Sequence, residues 1–385
     1  MTRIAAGLST AGSAEDAARE AAAEASKGLA AAPADLAFAF LSTAHLDGAE
    51  EAVDAVRREL APRHLLACVA EGIVGAGHEV EDGPAIAVWA ASLPGAEIEP
   101  FHAQTVEAGG GVGIVGVPDL DGASLVTLLA DPFTFPVSGF LDRLNEEEPR
   151  VPLVGGLAVG GDEEGAQSLV AGEEAHAGGA VGAVLRNVPV RTVVSQGCAP
   201  IGRDAVVTHA EGNIVYELAG QPAIDRLREE IEALPTERQL LATRGLLAGL
   251  VIDENQPSYA RGDYLMRGLL GADEESGAIA VGERVRVGQT LRFHVRDAAS
   301  ADEDLRAALH EAVAGVRPAG ALLFTCNGRG RSMFPMADHD ARAVSEALDG
   351  GVAGYFCGGE IGPVGGQAFL HGYTATLAVF LDDSA

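Results

Sequence analysis

One pattern recurs three times along the 385 residues: an apolar strand, an amphipathic helix, a second strand, a glycine turn and a closing hairpin. The first copy reads as a buried strand over 36–41, a helix from about 49 to 60 with Val53, Val56 and Leu60 on one face, a strand over 65–69, Glu71-Gly72, a turn at Asp82-Gly83, and a strand over 85–91. The second places strands at 125–129 and 151–154 around a helix at 137–144, then Gly155-Gly156 and short strands at 167–171 and 180–185. The third has strands at 321–325 and 352–356 around a helix at 340–348, the turn Gly358-Gly359-Glu360, and strands at 367–371 and 374–380. A strand, a helix and a returning strand form a right-handed crossover, so the two strands lie parallel, and the hairpin adds antiparallel neighbours. The fold class expected is α/β (α+β): mixed sheets with packed helices, built from repeated units in two halves.

Copies one and three share a finer detail, Cys68-x-x-Glu71 and Cys357-x-x-Glu360, which sets both carboxylates where a strand runs into a glycine turn. Outside the copies, Ser13 caps an alanine-rich helix reaching about Ala31, with Asp16 answering it, and Pro33 ends the helix. Helices are expected at 223–234, 237–246 and 302–313, and the alternating run 285–297 reads as a strand pair turning near Gly288. The main boundary is placed before the helical linker, giving domains 1–218 and 219–385.

The formal net charge is -30, from 56 acidic and 26 basic residues, and such a surface repels nucleic acid and anionic membranes. The first thirty residues are punctuated by Glu15, Asp16, Arg19, Glu20 and Glu24, so they read as a helix of the mature chain and not as a signal. No apolar stretch approaches the ~20 residues of a membrane span. Cys68, Cys198, Cys326 and Cys357 are far apart in sequence, without a CxxC pair or clustered histidines, so neither a zinc site nor a disulfide frame is signalled and a reducing cytoplasm fits. There is no phosphate loop, dinucleotide fingerprint, GxSxG elbow or HExxH helix. No cofactor is expected.

The segment richest in chemistry is Cys326-Asn-Gly-Arg-Gly-Arg-Ser332, directly after a buried strand. Ligands in open α/β sheets favour the carboxyl ends of strands. Asn327 and Arg329 are placed there, the arginine offering a planar fork to a carboxylate or phosphate; its alternative role is to brace its own loop through carbonyls or Glu360. Glu360 is the expected counterpart, and a ligand with a carboxylate and an ammonium group, such as an amino acid, would match the pair; a plain internal ion pair is the competing reading. Glu71 is a weaker copy of the idea. His371 and Thr374, in the HGYT segment, are expected on the pocket wall or as structural residues of the hairpin. Cys326, a thiol beside arginines, is either inert or an activated nucleophile lacking an obvious base.

These motifs carry a resemblance. The chain resembles a FIST-domain protein over nearly its whole length, through DLAFAFLS at 35–42 and CVAEG at 68–72 in the first half, and through GCAPIG at 197–202, FHVRD at 293–297, LFTCNGRG at 323–330, GYFCGGEIGP at 354–363 and LHGYT at 370–374. The resemblance implies a sensory binder of small ligands, amino acids among the candidates, found alone or beside signalling output domains in prokaryotes and in an F-box protein of animals. Carried onto this sequence it points to Asn327, Arg329, Glu360 and His371. No kinase, cyclase or F-box segment is read here, so output is expected to pass through a signalling partner. The rival readings are a scaffold binding proteins through its acidic surface and a cysteine or acid-base enzyme using Cys326 or Glu360.

Overall fold

In the strand Leu36–Ser42 every side chain is buried, and the two faces differ in bulk: Leu36, Phe38 and Phe40 enter one core, while Ala37, Ala39 and Leu41 enter another beneath helices. Small side chains on the helical side let an alanine-rich helix approach closely, and large ones fill the space between sheets. The computed structural model describes residues 1–108, 111–147, 150–161, 167–243 and 245–382. In chain order its elements open with β1 (Arg3–Ser9), α1 (Ala14–Gly28), β2 (Leu36–Ser42), α2 (Ala49–Leu60), β3 (His64–Ala70), β4 (Gly72–Gly75), β5 (His78–Val80) and β6 (Ile86–Ser92). The second repeat follows with β7 (Glu97–Ala108), β8 (Gly111–Val115), β9 (Leu125–Ala130), α3 (Val137–Glu147), β10 (Leu153–Leu157), β11 (Leu169–Ala171), β12 (Glu174–His176) and β13 (Ala180–Arg186). Next come β14 (Val190–Gln196), β15 (Cys198–Glu211), β16 (Ile214–Leu218), β17 (Gln221–Pro222), α4 (Ala223–Glu232), α5 (Thr236–Ala242), β18 (Leu246–Val251), β19 (Tyr264–Asp273), β20 (Ala278–Val281) and β21 (Thr290–Arg296). The third repeat is introduced by α6 (Ala298–Val313) and consists of β22 (Pro318–Cys326), α7 (His339–Ala347), β23 (Gly351–Cys357), β24 (Glu360–Val364), β25 (Gln367–His371) and β26 (Thr374–Leu381).

The chain packs as two units. The larger holds the described residues of Met1–Val194, Leu305–Leu370 and those from Thr374 onward; the smaller holds those of Ser195–Asp304 with His371–Tyr373. Residue 218 ends β16, inside the smaller unit.

In the larger unit each repeat forms the centre of one sheet. The pairs β2–β3, β9–β10 and β22–β23 are parallel, and β6, β13 and β26 return antiparallel to β2, β9 and β22. The small hairpins are exchanged. The first repeat lends β4 to β23 of the third, with Ile73 opposite Tyr355. The third lends β24 to β10 of the second, with Glu360 opposite Gly156, and the second lends β11 to β3 of the first, with Val170 opposite Ala67. The exchange closes a ring, so no repeat completes its sheet alone. The three inner faces share one core in which Trp89 packs against Phe38 and Phe380, and Tyr355 against Phe40 and Phe324. Aromatic pairs of this kind contribute about 0.5–1.5 kcal/mol each beyond their buried area. Helices α1 and α2 cover the first sheet outside, and Ser13 caps α1 by accepting from the Asp16 amide.

The smaller unit is antiparallel. Its strands run β15-β21-β18-β19-β20-β16, and β16 pairs back onto β15, closing a six-stranded barrel around Ile201, Leu250, Leu291 and Phe293. Register shifts in β15 and β19 supply the bends closure needs. Two expectations are corrected here. The helix placed at 237–246 stops at Ala242, and Leu246 opens β18. The run 285–297 is one strand, β21, preceded by a turn with Gly288 at a φ of 92°.

No helix among the described residues is long and apolar enough to cross a membrane.

The hairpin exchange makes Gly156 a sensitive position. A Cβ there would lie 2.3 Å from Cys357 Sγ, a thiol of the neighbouring repeat. Gly156→Ala is expected to destabilise the protein by about 1–3 kcal/mol, and Cys357→Ala in the same chain to restore part of the loss, measured by urea unfolding of the four combinations.

Candidate functional site

The loop after β22 is held by a buried ion pair. Arg329 is 0% exposed, and its fork meets Asp340 with Nε to Oδ2 at 2.6 Å and Nη2 to Oδ1 at 2.8 Å. Asp340 is also buried, in the first turn of α7, and accepts from Thr325 Oγ1 at 2.7 Å while His339 Nδ1 lies 2.9 Å from its other oxygen. Burial alone would push that carboxyl up, but the guanidinium and these hydrogen bonds win and hold it well below the usual carboxylate range. The same exchange holds Arg329 above its ordinary value although burial opposes its charge. The guanidinium carbon lies 5.2 Å from the Phe334 ring centre, and Phe334 stacks on His339.

The first repeat clamps this loop through its lent hairpin. Glu79 of β5 accepts from the Asp340 and Ala341 amides at 2.8 and 2.9 Å, a carboxylate at the amino end of α7. Burial, and then Asp340 nearby, push Glu79 up to about 7. Glu81 accepts from the Arg331 amide at 2.8 Å, and Gly330, at a φ of +57°, passes where a Cβ would meet that carboxylate.

Glu360, the first residue of β24, is 0% exposed. Its Oε2 accepts from the Thr374 amide at 3.1 Å and from Thr374 Oγ1 at 2.8 Å. Burial pushes its carboxyl up to about 8 against the pull of Thr374, the Cys326 thiol and the Arg329 charge. Two wholly buried polar atoms, Arg329 Nη1 and Glu360 Oε1, have no hydrogen-bond partner among the described residues. The first is a donor; the second accepts when Glu360 is ionised and can donate when the carboxyl holds its proton.

Arg329 and Glu360 thus both lie inside, and the hydrogen bonds of Arg329 go to Asp340 and not to Glu360; the charge of each acts on the protonation of the other. Asn327 and Glu71 stand outside them. Asn327 donates from Nδ2 to Glu71 Oε2 at 2.5 Å, joining the third repeat to the first, and its amide bonds the Cys357 carbonyl. Glu71 follows the last residue of β3 and is exposed. Cys326 ends β22 in register with Cys357, is 9% exposed, and its sulfur accepts from the Gly328 amide at 3.4 Å. Burial pushes the Cys68 and Cys357 thiols up, Cys357 with Glu360 adding to the effect. His371 is buried and packs with the smaller unit, whereas Thr374 belongs to the larger. The sequence reading missed Asp340 and Glu79. Asp340 carried a signal, an acidic residue opening a helix, while Glu79 is informative only once the exchange of hairpins is known.

The chain matches the FIST N domain family over residues 35–221 and the FIST C domain family over residues 223–363. An uncharacterized protein of Mycobacterium tuberculosis is 45% identical over 384 residues, covering 99% of this chain and 100% of the relative. One of Mycobacterium bovis is 44% identical over 385 residues, covering 99% of each.

Glu360 gives the site a measurable pH signature. Its folded value, about 8, lies above its ordinary 4.5, so the folded state holds a proton that the unfolded chain has released. Its contribution therefore favours folding at low pH and declines as pH rises from about 4.5 to about 8; Glu79 acts in the same direction up to about 7. Glu360→Gln is expected to reduce that decline and to be the more stable form above pH 8, by on the order of 2 kcal/mol. Denaturant midpoints at pH 5 and pH 9 check it.

Proposed function

The chain belongs to the FIST family, with its N and C domains in series, and from that premise we propose that it is a sensor whose ligand is a small polar molecule carrying both an acceptor oxygen and a donor nitrogen, as amino acids and their amides do. FIST domains are sensory domains, which makes the chain a signal-transduction module. The observation that carries the ligand reading is the pair of buried atoms without partners, Arg329 Nη1 and Glu360 Oε1. Leaving either unsatisfied costs about 1–3 kcal/mol or more, and one ligand bearing an acceptor and a donor would satisfy both. The carboxyl ends of β22 and β23 give the location such a ligand favours. Asn327 and Glu71 form the outer contact, and their free energy of interaction changes when a cationic nitrogen competes for the Glu71 carboxylate.

With Arg329 neutralised by Asp340 and Glu360 held protonated by burial, Glu71 at the outer contact is the acidic group left to meet a ligand. The site then favours ligands with an ammonium or amide donor over plain carboxylates.

Thermal-shift measurements on the intact chain test this. A matching amino acid or amide at 100 times its Kd is expected to add about 2.7 kcal/mol, and the gain is expected to shrink in Glu71→Gln and Asn327→Ala, both of which alter the outer contact and leave the buried pair alone. The same carbon skeleton without nitrogen should give no shift. A response to carboxylates alone, or to none of the panel, would refute the reading.

A further inference from the structure

The second sheet of the larger unit ends on β8, whose residues pair, among the described residues, only with β7, Thr105 opposite Ile114 and Glu107 opposite Val112. An edge strand presents a row of backbone donors and acceptors to any extended chain, and proteins guard such edges with charge or proline. The edges β1, β5, β12 and β14 contain Arg3, Glu79, Glu174 and Arg191. β8 reads GVGIV, with neither guard. It is also accessible: Val112 is 70% exposed and Val115 43%.

Beside this edge runs a groove of about 630 Å³ between β8 and α3, walled by Val112, Ile114, Val117, Leu120, Phe140 and Leu144. An edge that pairs and a groove that takes alternate apolar side chains are the two parts of recognition by strand addition. The surrounding charge fixes the partner's character. Asp119 and Glu147 line the groove, Glu107 is exposed on β7 opposite Val112, Asp142 and Glu146 are exposed on α3, and Arg143 pairs with Glu147 at 2.8 Å. A second copy would bring the same acidic rim, on a chain of net charge -30, against this one.

We propose that β8 and the groove beside it form the docking surface for an extended, apolar segment of a partner protein flanked by lysine or arginine, which adds to the sheet as a further strand. The basic flanks meet the acidic rim and the alternate side chains enter the groove. This surface is separate from the strand ends that carry Glu360, so it stands or falls independently of the ligand reading.

Fluorescence anisotropy of the intact chain with a labelled nonapeptide, alternating valine and threonine between paired lysines, tests it. Saturable binding is expected, weakened about tenfold or more by Val112→Lys, by glutamates in place of the peptide's lysines, and by a proline at the peptide's centre. Val112 is exposed, so an unchanged unfolding midpoint in Val112→Lys separates lost docking from lost folding. Absence of binding, equal binding to Val112→Lys, or indifference to the central proline would overturn the proposal, the last by showing that the groove takes an apolar group without strand pairing. A parent chain that sediments as a dimer and becomes monomeric on Val112→Lys would overturn it in favour of a second copy.

Discussion

The contact between Arg329 and Asp340 organises the region where chemistry is concentrated. Removing two charges from water is costly, and a buried pair is favourable only when its geometry and its remaining hydrogen bonds are good. Here the fork is met by both carboxylate oxygens, and Thr325 and His339 supply further contacts to Asp340. The pair joins the loop after β22 to the start of α7. Cys326 and Asn327 keep their places because the chain between them and α7 is tied at this point.

Hairpin exchange then brings different repeats to the same place. Glu71 precedes β4, which pairs with β23, so the first repeat delivers a carboxylate beside the third repeat's Asn327. Glu360 opens β24, which pairs with β10, so the third repeat's Glu360 lies opposite the second repeat's Gly156. Glu79 reaches α7 by the same route as Glu71. Three copies of one simple unit thereby produce a region that none of them contains by itself, and a rearrangement of any lent hairpin would be felt there.

Much of the larger unit was legible in the sequence because its signals are local. Apolar runs of strand length, amphipathic helices and glycine turns recur in order, and the Ser13 cap is read from three residues. The exchange was not legible, because the repeat pattern specifies which strands exist and not which neighbour a short hairpin chooses. The barrel was also missed: β15 and β19 contain register shifts that interrupt their alternation, and the barrel closes through a β15–β16 pairing that no local signal records. At the site, the positions of Cys326, Asn327 and Glu360 near strand ends followed from the pattern. The partner of Arg329 did not, since Asp340 is eleven residues away and looks in sequence like an ordinary helix-opening carboxylate.

A double-mutant cycle on the buried pair tests the account most directly, using Arg329→Met, Asp340→Leu and the combined variant, with stability measured by urea unfolding of the intact chain. Each single change leaves a charge alone in the interior and is expected to cost about 3–5 kcal/mol, while the double variant recovers most of the loss. Single changes tolerated within about 0.5 kcal/mol, or losses that simply add, would contradict it.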